Sequence, residues 1–126
     1  MHDVDAAMDH ATDRAAERGL PLSLAGWSFG AAISLRWQAV NQSEVTWVGI
    51  APPVPPDTDF PMPGTGDLAP GARTIIIGER DQLINVEHAR AYAALIGAQF
   101  HVLPGSDHFF VFREARLSEL VIPALD

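Results

Sequence analysis

The stretch Gly26-Trp27-Ser28-Phe29-Gly30 has the pattern G-x-S-x-G and lies between apolar residues typical of a strand and apolar residues at helical spacing. The apolar positions 22, 24 and 25 before it are typical of a buried strand, whereas apolar positions 31, 32, 33, 35 and 37 follow at helical spacing. A serine at such a junction sits on a sharp, strained strand-to-helix turn, where bulky flanking residues would clash. The sequence therefore predicts a strand, a tight turn that presents the Ser28 hydroxyl, and a helix, with both glycines relieving the clash.

Two further polar residues each follow a strand-like run. The β-branched residues 74–77 lead through Gly78 to Asp81, and residues 99–103 lead through a Pro-Gly turn to His108. The chain order serine, aspartate, histidine is the order found in one large class of nucleophilic catalysts. In that arrangement Ser28 attacks, His108 takes and returns its proton, and Asp81 orients the imidazole.

Each of these residues also has a simpler interpretation. Ser28 fits a helix N-cap, Asp81 fits a turn or N-cap acid, and His108 fits a solvated loop residue. Asp107 is better interpreted as a turn residue than as the catalytic acid, because a neighbour in sequence cannot easily reach the ring nitrogen of His108. The ordered spacing of the three residues favours the catalytic interpretation.

The sequence resembles the α/β-hydrolase superfamily, and in particular its small members without a cap domain, of the dienelactone-hydrolase-like kind. The stretches that carry the resemblance are residues 24–31, 51–53, 77–81 and 105–110. The resemblance implies a serine hydrolase that acts on an ester or related acyl bond of a small molecule, with Ser28 as nucleophile, Asp81 as acid and His108 as base.

The same resemblance suggests residues around the triad. The backbone N–H of Phe29 would be a donor of the oxyanion hole. Trp27 and Phe29 are candidates for lining an acyl pocket, although packing beside the turn explains both at least as well, and Trp27 and Phe109 are candidates for a substrate pocket. No cofactor is expected, and no metal either, because the remaining histidines lack paired ligand spacing.

The fold class predicted is α/β, with about four parallel strands in a three-layer α/β/α arrangement. Strands are expected at residues 22–25, 45–50, 74–77 and 99–103, and helices at 3–18, from the turn to about 40, at 86–96 and at 110–121, with Gly19 ending the first. The Pro- and Gly-rich residues 52–71 are expected to be irregular.

The family's sheet usually has eight strands, with the nucleophile after the fifth, yet only about 25 residues precede Ser28. We therefore expect residues 1–126 to form a single, apparently truncated domain, the carboxyl-terminal half of the fold. The absent half normally supplies a second oxyanion donor, so a catalytically weak or inactive fragment is an alternative. A third is an interaction module that pairs through an open sheet edge at residues 22–25, for example as a homodimer.

The amino-acid composition argues against several classes of binding partner and site. The formal net charge of −8 argues against binding to nucleic acid or to anionic membrane surfaces. There are no cysteines, and hence no disulfide framework or thiol nucleophile. No apolar stretch approaches the length of a membrane span, and the amino terminus lacks the pattern of a signal peptide. These features predict a cytoplasmic protein.

Overall fold

The computed structural model describes residues 2–18, 22–109 and 114–125. Within them the chain alternates helices and strands: α1 His2–Arg18, β1 Ser23–Trp27, α2 Phe29–Asn41, β2 Thr46–Ile50, β3 Arg73–Gly78, α3 Val86–Ile96, β4 Gln99–Leu103 and α4 Glu114–Leu125. The predicted elements are confirmed to within a few residues, and residues 52–71 are irregular as expected. The predicted helix end at Gly19 and the predicted start of the last helix at residue 110 lie outside the described residues.

The four strands form one parallel sheet in the order β1-β2-β3-β4. Ser23 lies opposite Thr46, and Thr74 lies opposite Gln99. Because all strands run the same way, the residues that follow β1, β3 and β4 emerge at the same end of the sheet. β1 is an edge strand of this sheet, as predicted.

Helices cover both faces of the sheet, which confirms the predicted three-layer α/β/α class. Successive residues of β3 point to opposite faces, and the whole strand is buried. Ile75 and Ile77 pack in one cluster with buried residues of α2 and α3, whereas Ile76 packs in a second cluster with Val48 and residues of α4. Burial of these side chains from both directions fixes the strand ends that carry the polar residues of interest.

Arg73 connects the irregular segment, residues 52–71, to the amino end of β3 through hydrogen bonds. Its buried guanidinium donates to Gln38 Oε1 at 2.9 Å, to the Ala69 carbonyl at 2.8 Å and to the Ser43 carbonyl at 3.3 Å. Burial lowers the pKa of Arg73. These bonds anchor the segment at the opposite end of the sheet from Ser28. None of the helices described is both long enough and apolar enough to span a bilayer.

Candidate active site

Ser28 occupies a strained turn between β1 and α2. Its φ of 55° and ψ of −126° are a combination that residues other than glycine rarely adopt. Its N–H donates to the Ile50 carbonyl at the end of β2 (2.7 Å), and its carbonyl accepts from the Ala31 N–H (3.0 Å). Ser28 stands at the N-cap position, but its hydroxyl makes no capping hydrogen bond. The side chain is therefore left free for a partner outside the helix.

The two glycines of the turn, Gly26 and Gly30, differ in the space available for a side chain. A Cβ on Gly26 would lie 2.7 Å from the N and Cα atoms of Ala31, so β1 and the first turn of α2 meet only because this side chain is absent. A Cβ on Gly30 would meet nothing within 4 Å. The prediction that both glycines relieve a clash is correct for Gly26 and wrong for Gly30, whose Cα faces open space at the start of α2.

His108 links the other two predicted residues. Its Nε2 lies 3.0 Å from Ser28 Oγ, and its Nδ1 lies 2.7 Å from Asp81 Oδ2. The side chains of His108 and Asp81 are 2% and 0% exposed. A carboxylate at Nδ1 favours the tautomer with the proton on that nitrogen, which leaves Nε2 to accept from the serine hydroxyl. The histidine loop, residues 104–109, therefore places an acceptor directly at Ser28.

Asp81 has a second role that agrees with its simpler interpretation. Its other oxygen, Oδ1, accepts from the N–H groups of Leu83 (2.8 Å) and Ile84 (2.7 Å). These bonds form a tight turn in the acid loop, residues 79–84. The N-cap of α3 is Asn85, whose side chain accepts from the His88 N–H. One carboxylate oxygen is thus held by the backbone, and the other is directed at the imidazole.

The acid loop and the histidine loop are hydrogen bonded to each other. The Arg80 N–H donates to the Ser106 carbonyl (2.8 Å), and the Gly105 N–H donates to the Glu79 carboxylate (3.0 Å). A Cβ on Gly78 would lie 2.5 Å from the Ser106 carbonyl oxygen. Glu79 and Gly78 are positioning residues that were not predicted from the sequence. Their place at the end of β3, just before Asp81, was the only available signal.

The remaining predicted residues surround this arrangement. Phe29 begins α2, where the first N–H groups of a helix have no intrahelical partner. Trp27 and Phe109 come together with their ring centroids 5.8 Å apart, and both rings contact His108. Trp27 is 48% exposed and Phe109 60% exposed, so this pair lines an exposed surface beside the imidazole. Among the described residues, no group of three or more acidic, cysteine or histidine side chains could hold a metal ion.

The solved structures to which this chain is similar include proteins described as α/β hydrolases. An α/β serine hydrolase homologue from Coxiella burnetii matches 98% of this chain at 25% identity, with a TM-score of 0.76. An α/β serine hydrolase without a lid from Xanthomonas campestris matches 97% at 27% identity, with a TM-score of 0.74. Human thioesterase 2, at 14% identity and a TM-score of 0.66, shares the fold.

The chain spans 57% of the Coxiella protein and 55% of the Xanthomonas protein. No family model matches the sequence, and the search of curated proteins gave no match. The resemblance seen in the sequence is nevertheless confirmed: the chain has the fold of an α/β-hydrolase over part of the length of these proteins.

Proposed function

We propose that this chain, with its α/β-hydrolase fold, is a serine hydrolase that cleaves an ester or related acyl bond of a small molecule. One observation carries the proposal: Ser28 Oγ, the His108 ring and the Asp81 carboxylate form a continuous chain of contacts at 3.0 and 2.7 Å. The strained backbone of Ser28 supports it, because such strain is concentrated at functional sites.

In the acylation step, Ser28 Oγ attacks the carbonyl carbon of the ester while its proton passes to His108 Nε2. The tetrahedral intermediate then collapses, the bond to the leaving oxygen breaks, and His108 returns the proton to that oxygen. The products of this step are the free alcohol and an acyl group covalently bound to Ser28.

In the deacylation step, water takes the place of the alcohol. His108 accepts a proton from the water, the resulting hydroxide attacks the acyl carbon, and the proton returns to Ser28 Oγ as the carboxylic acid departs. Asp81 stays ionised throughout and stabilises the imidazolium that forms in each half of the reaction. The Phe29 N–H stabilises the negative oxygen of the intermediates.

The burial of Asp81 and His108 contributes to this chemistry. Neither side chain has appreciable contact with solvent, and charge interactions are stronger where water is excluded. The two backbone bonds to Asp81 Oδ1 compensate part of the cost of burying the carboxylate. The imidazole and the carboxylate are therefore held in the arrangement that the proposed proton transfer requires.

The direct experiment is hydrolysis of p-nitrophenyl acetate by the protein and by two serine variants. Ser28→Ala removes the proposed nucleophile and should reduce kcat by at least about 10³-fold. Ser118→Ala, on the exposed side of α4, is the matched control and should leave the rate unchanged. Turnover that survives in Ser28→Ala at the level of the control would exclude Ser28 as the nucleophile.

A further inference from the structure

Exposed aromatic side chains are concentrated beside the proposed nucleophile and base. In the described part of the chain the exposed aromatic residues are Trp27, Phe29 and Phe109, each adjacent in sequence to Ser28 or His108. The other large exposed apolar residues there are aliphatic and lie on separate elements: Val40, Leu83, Leu95 and Ile122. Scattered single apolar residues are ordinary on a protein surface, whereas a cluster of rings at a reactive centre indicates a binding surface.

The rings of Trp27 and Phe109 both pack against the imidazole of His108. Phe109 meets the His108 ring edge to face with the centroids 5.2 Å apart, and Trp27 lies 5.8 Å from the same ring. The Trp27 indole N–H also approaches the His108 carbonyl oxygen at 3.4 Å. The two side chains together form what we call the aromatic shelf.

Phe29 is not part of the aromatic shelf. Its ring packs edge to face against Phe60 of the irregular segment, with the centroids 5.0 Å apart. Phe29 is also the residue whose N–H faces the oxyanion in the proposed mechanism. The exposed aromatic residues thus fall into two groups, with Phe29 packed against Phe60, and Trp27 and Phe109 packed against His108.

The chemistry of the proposed reaction assigns an occupant to the aromatic shelf beside His108. His108 Nε2 must reach the leaving oxygen in order to protonate it, so the group attached to that oxygen lies next to the imidazole and against the shelf. We infer that the aromatic shelf binds a ring on the alcohol portion of the substrate, which makes the substrate an ester of a small ring-bearing alcohol. This inference rests on the proposed function and adds to it the class of the leaving group.

The test compares two acetates whose alcohols are of similar acidity, benzyl acetate and methyl acetate, so that chemical reactivity is matched. The protein should show a kcat/KM about 10-fold higher for the benzyl ester, the lower end of what one apolar group contributes in a binding site. Phe109→Ala and Trp27→Leu should each reduce this ratio to between one and about three, because one face of the shelf is lost. Phe109→Tyr keeps the ring and should keep the ratio.

Leu95→Ala is the matched control, because Leu95 is 52% exposed on α3 and outside the shelf. It should keep both the ratio and the absolute rates. A ratio near one in the unmodified protein, with Ser28-dependent turnover of both esters, would overturn the shelf and leave the proposed function standing.

If neither ester is hydrolysed, binding decides the shelf separately, and the proposed function fails only if p-nitrophenyl acetate is not hydrolysed either. Benzyl alcohol is then titrated into the protein while the indole N–H resonance of Trp27 is followed by NMR. A saturable shift that Phe109→Ala weakens supports ring binding on the shelf. An unmoved resonance, or a shift unchanged in Phe109→Ala, overturns it.

Discussion

Replacing Gly26 with alanine perturbs the turn of Ser28 through a single added methyl group. Neither Gly26 nor Gly30 has a φ in the left-handed region, so alanine is compatible with the backbone at both positions, and a loss of activity at only one of them is steric. At Gly26 the new Cβ would lie 2.7 Å from backbone atoms of Ala31, which cannot rotate away. At Gly30 it enters open space.

The magnitude follows from the required movement. To relax the contact from 2.7 Å to the 3.4 Å at which ordinary contact begins, β1 and the first turn of α2 must separate by about 0.7 Å. Ser28 lies between them and would move with them. Since a misplacement near 1 Å can cost about 10²-fold in rate, we expect Gly26→Ala to lose about 30- to 100-fold in kcat/KM. Overpacking should also lower the free energy of unfolding by about 1–3 kcal/mol.

Gly30→Ala is the matched control. It removes a glycine from a helix and should raise the free energy of unfolding by up to about 1 kcal/mol, with activity unchanged. Hydrolysis of p-nitrophenyl acetate and urea denaturation measure the two quantities on the same preparations. Equal activity and stability in the two alanine variants would refute the steric argument for the turn.

Three further predictions concern the loops and the sheet edge. Asp81→Asn should lower kcat by about 10⁴-fold, because an amide no longer selects the required imidazole tautomer; circular dichroism should show a retained fold, and a loss below tenfold would contradict the role of Asp81. Gly78→Ala should lower the free energy of unfolding by about 1–3 kcal/mol in urea denaturation, because its Cβ would press on the Ser106 carbonyl; an unchanged midpoint would show that the two loops are not closely packed. The open edge of β1 should support a homodimer in sedimentation experiments, which Ala25→Lys should dissociate; a monomer at every concentration would rule out the dimer.

Most of the fold could be predicted from the sequence because its elements have strong and local signals. The β-branched run before Gly78 and the regular apolar spacing of residues 86–96 each indicate one type of element, and both are found where predicted. The open edge at β1 was also predictable, but only through the resemblance to a larger sheet. Nothing in residues 22–25 by themselves distinguishes an edge strand from a central one.

The contacts at the site were predicted by combining a motif with the chain order of three polar residues. The structure brings Ser28, Asp81 and His108 into contact, since parallel strands deliver their following residues to one end of the sheet. The catalytic roles of these residues remain the predictions that the experiments above test.

Other features of the site depend on packing between distant segments, which a sequence pattern does not contain. Gly26 and Gly30 differ in the space available for a side chain because β1 approaches α2 closely at Gly26 only. The hydrogen bond between Glu79 and Gly105 joins two loops 26 residues apart. The two sets of contacts made by the Asp81 carboxylate could not be predicted either, because the residue pattern fits a turn and a catalytic acid and does not show that one oxygen serves each. The aromatic shelf could not be predicted either, because it depends on the exposures of Trp27 and Phe109, which only the fold determines.

Covalent labelling tests the central claim most directly. The protein is treated with a fluorophosphonate, which phosphonylates an activated serine, and the adduct is located by mass spectrometry of the digested chain. The account predicts a single adduct on Ser28 that disappears in Ser28→Ala, forms much more slowly in His108→Ala, and persists in Ser118→Ala. An adduct on another residue, or no adduct on a folded protein, would contradict it.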